Sequence, residues 1–173
     1  LLAGQAGGYV FYDKGYTSDG WRYLEVSPEY ITIESQSEFI FGYYKSPTTG
    51  EFVEVGTSGA IGTGKANTRK LVDAFGSAAY VNDYSSDTTG DYAAKLCDDY
   101  SYGGYEDWFL PSQGELYVMV QSLIANLEEP LWNSYWSSTE DDYDDAGIVY
   151  HSDGDIGNYN RENYLMVRPI RAY

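Results

Sequence analysis

Apolar positions near the start of the chain come in two short runs, Gly8-Tyr9-Val10-Phe11-Tyr12-Asp13 and Trp21-Arg22-Tyr23-Leu24-Glu25-Val26, rich in aromatic and β-branched side chains. Runs of that length and chemistry predict strands. Lys14 to Gly20, with its Gly, Ser and Asp, reads as a long loop closing a β-hairpin. Between Glu29 and Gly50 only Phe39-Ile40-Phe41 stands out, and Phe52-Val53-Glu54-Val55 reads as a short strand. The period then becomes helical. Leu71, Val72 and Phe75 predict a helix capped by Asn67 and stopped by Gly76. A second helix runs from Asp91 through Ala94, Leu96 and Cys97 to Tyr100. A third has the clearest start, because Ser112 and Glu115 stand at capping-box spacing ahead of Leu116, Val120, Leu123 and Leu127. After Pro130 the pattern returns to strand, near Ser134 to Thr139, Gly147 to His151, Asp155 to Tyr159 and Tyr164 to Ile170. Strands at both ends with helices between predict an α+β domain. Its N-terminal hairpin and C-terminal meander should meet in space, making the termini neighbours.

A chain of 173 residues is one domain, 1–173, large enough to bury a core without staples. Lys and Arg number 10 against 27 Asp and Glu, a net charge of -17 that repels phosphate backbones and anionic membranes. Nucleic acid is therefore excluded as an expected partner. Cys97 is the single cysteine, so no internal disulfide forms, and its neighbours Ala93, Ala94 and Leu96 predict an inert buried thiol. No stretch is long and apolar enough to span a membrane, and no basic-then-apolar leader is visible. The chain starts at Leu1 rather than Met, so a signal, anchor or stalk is expected upstream. Twenty Tyr and 19 Gly against five Pro predict a loop-rich globule containing sheet, with Tyr standing where Leu usually does.

Candidate chemistry concentrates in Asp141 to Asn163. Six Asp and Glu162 against Arg161 alone give this segment a net of -6, interleaved with Tyr, Asn, Ser and Gly. Paratopes use that composition, Tyr for rigid amphipathic area and Ser, Gly and Asn for adaptable hydrogen bonds. The segment reads as a binding face for a protein or glycan, neutral or cationic rather than polyanionic. Within it Asp142, Asp144, Asp145, Gly147 and Asp153 imitate parts of a calcium loop, but Ala146 fills a ligand position and the flanks are strand-like, leaving at most a loose oxygen cluster. Gly59-Ala60-Ile61-Gly62-Thr63-Gly64-Lys65-Ala66 nearly spells a phosphate-binding loop. Ala66 stands where a magnesium-binding hydroxyl is needed, so a glycine turn entering a helix is the better reading. His151 is the sole histidine with no nucleophile motif near it, and scattered carboxylate pairs carry no information in so acidic a chain. Trp108, Trp132 and Trp136, flanked by Phe109, Leu110 and Leu131, read as core before they read as a sugar-stacking platform.

Six ordered motifs carry a family resemblance along nearly the whole chain: Gly7 to Tyr12, Trp21 to Glu25, Ile61 to Thr68, Gly103 to Ser112, Tyr135 to Glu140 and Val167 to Tyr173. Together they resemble the bacterial domain family that includes the C-terminal domain of the Legionella collagen-like adhesin. The resemblance implies a C-type lectin fold on a secreted or cell-surface bacterial protein that binds ligand and does no chemistry. Variable proteins of diversity-generating retroelements share that fold and present ligand from the segment before the terminal strand, here Asp141 to Asn163. Adenine-directed mutagenesis of Asn codons does not yield Lys, Gln, Glu, Met or Trp, and of these the segment holds only Glu162. Two departures limit what carries over. Glu129-Pro130-Leu131 and Trp132-Asn133-Ser134 only echo the calcium-binding runs of animal lectins, and a charge of -17 does not suit sulfated glycosaminoglycan. A lone Cys97 also lacks the cysteine pair of formylglycine-generating enzymes, distant users of the fold.

The expected function is therefore a non-catalytic recognition domain of the adhesin or receptor type. Its contact residues are Asp141, Asp142, Tyr143, Asp144, Asp145, Tyr150, His151, Asp153, Asn158, Tyr159, Asn160 and Arg161. No cofactor is required, calcium being the one metal with any support. The alternatives are a structural module that caps or trimerises a surface protein as a homo-oligomer, and a carbohydrate-active enzyme using two acids.

Overall fold

In the computed structural model, which describes residues 1–127, 134–150 and 152–173, the first aromatic runs do form a hairpin. In chain order the elements are β1 (Leu2–Ala3), β2 (Tyr9–Ser18), β3 (Trp21–Val26), α1 (Gly64–Phe75), β4 (Ala79–Tyr80), β5 (Thr88–Thr89), α2 (Ala93–Asp98), α3 (Gln113–Leu127), β6 (Tyr135–Glu140), β7 (Asp145–Val149), β8 (Ile156–Asn160) and β9 (Ile170–Ala172). The fold is mixed α+β, with three helices and three small antiparallel sheets among the described residues.

The long loop expected between β2 and β3 is instead strand. β2 continues to Ser18, and only Asp19 and Gly20 turn the chain, at φ 54° and 82°. Two positive φ angles in an Asp-Gly pair match the right-handed twist of the flanking strands. The arm is held by Lys14 donating to the Ser18 carbonyl at 2.7 Å and by an Arg22–Asp13 ion pair at 2.7 Å. β9 adds to the other side of the hairpin, giving the sheet order β1-β2-β3-β9. Both chain ends thus lie on one sheet, at opposite edges. It is β9 that pairs with the hairpin, whereas the meander β6-β7-β8 forms a separate sheet. The strand expected over Tyr164 to Ile170 starts only at Ile170. Leu165 bridges to Phe39 and Met166 to Tyr135, so the segment passes between sheets, and Pro169 has no N–H for a ladder. Phe52 makes one isolated bridge to Lys45 and no strand.

α3 begins as its sequence requires. The Ser112 N–H donates to Glu115 Oε2 at 2.7 Å and the Glu115 N–H to Ser112 Oγ at 3.3 Å, the reciprocal pair of a capping box. α1 starts four residues earlier than expected, capped at Thr63 rather than Asn67, and its first turn holds no acid of its own. Glu115 fills that gap from α3, accepting from the Gly62 N–H at 2.8 Å. The near-miss phosphate loop therefore cradles an internal carboxylate. Asn67, expected as the cap, is buried inside α1 and ties it to Ser58, through its N–H at 2.9 Å and its carbonyl at 2.7 Å, and to Ser138 at 3.2 Å. The second helix is shorter than expected, and Cys97 within it is fully buried, which pushes its thiol up.

Two apolar clusters form the core. One joins Phe39, Ile40, Phe41, Leu71, Phe75 and Tyr92 to Trp136 and Ile148, and the other joins Phe11, Leu24 and Val26 to Leu116, Val120, Leu123, Val149 and Ile170. Trp108 and Trp136 are both buried, so they serve packing, while Trp132 lies outside the described residues. No described helix is long and apolar enough to cross a membrane.

Candidate functional site

β7 runs through the middle of the acidic segment and turns its side chains inward. Ala146, Ile148 and Val149 are fully buried, Ile148 in the first core cluster and Val149 in the second. What remains for contact is the turn at each end and the edge strand β8. Those two turns are separated by a five-residue strand, about 17 Å at the usual rise per residue.

The turn before β7 is built on Asp142. Its Oδ1 accepts the N–H groups of Asp144 at 2.7 Å and Asp145 at 2.6 Å, an Asx turn that fixes the backbone and leaves Tyr143 exposed. Carboxylate oxygens of Asp141, Asp142 and Asp145 lie within 4.8 Å of one another. Partial burial, then repulsion from Asp142, Asp144 and Asp141, raises the Asp145 pKa, with Arg161 opposing. Below the turn the buried Tyr43 hydroxyl lies 2.8 Å from Asp144 Oδ1 and 2.9 Å from Asn160 Oδ1. Burial, reinforced by Asp144, pushes its phenol well above the ordinary value.

Arg161, expected as a contact, is 0 % exposed and supports the turn from inside. Its Nη2 donates to Glu140 Oε2 at 2.9 Å and to the Asp142 carbonyl, and the guanidinium sits 5.0 Å from the Phe41 ring centroid. Glu140 also accepts the N–H groups of Val55 and Gly56 at 3.0 Å, which locks the loop before α1 to the end of β6. The sequence signals exposure for a charged residue in a polar run, but the ion pair with Glu140 removes Arg161 from the surface.

The far turn holds Tyr150 and Asp153. Tyr150 lies over Gly157, where a Cβ would come within 2.2 Å of its ring. Gln121 donates to the Gly154 carbonyl at 3.1 Å and Gln113 to the Gly157 carbonyl at 2.8 Å, so α3 anchors this turn. Asp153 thus stands at the opposite end of β7 from Asp142, Asp144 and Asp145, and the imitation of a calcium loop does not survive folding. On β8, Asn158 stands opposite Gly147 and Tyr159 opposite Ala146, both exposed at the sheet edge. Asn160 is half-buried beside Tyr43, while His151 and the lectin-like echo at residues 129–133 lie outside the described residues.

The structure thus groups Asp141, Asp142, Tyr143, Asp144, Asp145 and Asn160 at one end, carries Asn158 and Tyr159 along the edge, and places Tyr150 and Asp153 at the other end. Ile156, 54 % exposed, and Tyr164, 56 % exposed, extend the apolar part of the same region. Tyr164 was hidden in the sequence by its place at the head of an apolar run, and Ile156 by its β-branched chemistry. Chemically the region offers aromatic area, carboxylates and amides on a fixed backbone, a contact surface. No family model matches this chain and no curated protein matches it.

Proposed function

We propose that this chain is a non-catalytic recognition domain of the adhesin or receptor type, with a C-type lectin fold, displayed on or secreted from a bacterial surface. The observation that carries the reading is the asymmetry of the meander: β7 is sealed into the core while Tyr143, Tyr150 and Tyr159, with Asp141, Asp142 and Asp153, stay in solvent. Large aromatic side chains left exposed on an anchored sheet are the residues from which binding hot spots are made. The charge of the region favours a neutral or cationic protein or glycan surface. The lectin fold draws support from β9 returning to the N-terminal hairpin, with helices between hairpin and meander. The near-absence of Lys, Gln, Glu, Met and Trp between 141 and 163 supports a retroelement-diversified variable protein.

The test compares the natural chain with Tyr143→Ala/Tyr150→Ala/Tyr159→Ala on arrays of glycans and extracellular proteins, with and without calcium. The proposal expects binding by the natural chain, loss in the variant and nearly equal melting temperatures. Collapse of the variant's fold, or binding that survives it, would show that the tyrosines are not the contact surface. Sequencing the same gene across a natural population tests diversification, which requires substitutions concentrated at 141–163 in adenine-derived codons.

A further inference from the structure

Between the tip of the β2–β3 hairpin and the first turns of α1 lies a cleft of about 480 Å³ that shares no lining residue with the acidic face. Its volume is that of a small-molecule site. Trp21, Leu24, Phe109 and Ala172 give it apolar walls from three distant parts of the chain. Among the charged lining residues, Asp98 faces Arg69 at 3.9 Å, Asp107 is held by Arg171 at 2.9 Å, and Glu115 is engaged by backbone amides. Exposed Lys65, Glu106 and Asp19 are the other charged lining residues, a donor and two acceptors around an apolar floor.

The occupant follows from that pattern. The Trp21 ring already carries the Lys14 ammonium at 3.8 Å from its centroid, so a second cation against the same indole meets like-charge repulsion. A polyanion is opposed by the net charge of -17. A ring with C–H faces for the indole and hydroxyls that both donate and accept satisfies the walls and the charged groups together. We infer that this cleft binds one residue of a neutral saccharide, as a site separate from the tyrosine and carboxylate face. Trp21 supplies the stacking surface, and Lys65 and Glu106 bracket the hydroxyls.

The experiment follows the indole N–H resonance of Trp21 in the ¹⁵N-labelled chain during titration with methyl α-glucopyranoside, methyl α-mannopyranoside and N-acetylglucosamine. Choline and adenosine serve as cationic and flat heteroaromatic probes. A saturable shift with at least one sugar is expected, absent with choline and adenosine. Ala66→Trp, which fills the cleft from an exposed position on α1, should weaken that sugar about tenfold or more while the remaining spectrum keeps its dispersion. Tyr143→Ala/Tyr159→Ala should leave the shift in place, which separates this site from the face. No shift with any sugar at tens of millimolar, a shift with choline or adenosine instead, or a sugar response that survives Ala66→Trp would overturn the inference.

Discussion

Arg171 and Arg161 are both buried beside a buried glutamate, yet their surroundings differ. Arg171 donates to Glu25 at 3.2 Å and to the two oxygens of Asp107 at 2.9 and 3.1 Å, and stacks 3.8 Å from the Tyr105 ring centroid. Glu25 in turn accepts the N–H groups of Ala6 at 3.0 Å and Gly8 at 2.8 Å, so the N-terminus, β3 and β9 share one closed network. Arg161 uses Nη2 alone for Glu140 and the Asp142 carbonyl, and its Nε and Nη1 have no hydrogen-bond partner among the described residues. The hairpin end gives each nitrogen of its buried cation a hydrogen-bond partner. The end that carries the acidic turn does not. The lesson is that the network joining the termini is built for stability, whereas the support under the turn gives up some hydrogen bonding to hold an exposed, self-repelling loop in one shape.

The largest expected effect tests that contrast directly. Arg171→Met strands Glu25 and should cost about 3–5 kcal/mol in urea unfolding. Arg161→Met should cost less by roughly 1–3 kcal/mol, because the native guanidinium already carries unsatisfied donors. Equal losses would break the comparison.

A second pair contrasts two carboxylates that organise backbone amides. Glu115→Ala removes the acceptor of the Gly62 and Ser112 N–H groups in the interior and should cost about 2–3 kcal/mol. Asp142→Ala opens an Asx turn at the surface and should cost about 0.5–1 kcal/mol by the same measurement.

The smallest effect is in pH. Burial raises the Glu115 pKa despite its amide donors, and burial with neighbouring acids raises that of Asp145, so near these values the folded chain binds more protons than the unfolded one. Stability should therefore rise as pH falls from neutral toward the ordinary carboxylate range. Arg22, and then the Gly15 N–H, lower the Asp13 pKa; in Asp107, hydrogen bonding and attraction from Arg171 outweigh burial with the same result. Their contribution is lost on further acidification, below about pH 4. Melting temperature should peak in mild acid, and Asp145→Asn should flatten the neutral side of the peak. A monotonic fall from pH 7 would contradict this.

Legibility in the sequence divided along the same line. The α3 capping box, the hydrophobic runs of β2 and β3 and the burial of Cys97 are local signals, and the structure carries all three. Asp19-Gly20 was equally local, but the polar residues before it masked a strand that needs no apolar face at an exposed hairpin tip. Asn67 and Arg161 misled because their roles depend on Ser58, Ser138, Glu140 and Phe41, which only folding brings near. The acidic region was legible by composition and a strand near Gly147 to His151 by its apolar residues, but the sealing of β7 between two core clusters was not, since it depends on partners that only folding brings near. The cleft was invisible for a related reason. Trp21, Lys65, Glu106 and Ala172 come from four stretches with no shared pattern.

A rigid framework thus presents a surface that contributes little to folding. A display-based scan of all substitutions from 140 to 163, scored only for folded protein, tests it most directly. Free substitution is expected at Asp141, Tyr143, Asp153, Asn158 and Tyr159, and intolerance at Glu140, Ala146, Ile148 and Arg161. Intolerance spread evenly across the exposed positions, or tolerance at Glu140 and Arg161, would contradict it.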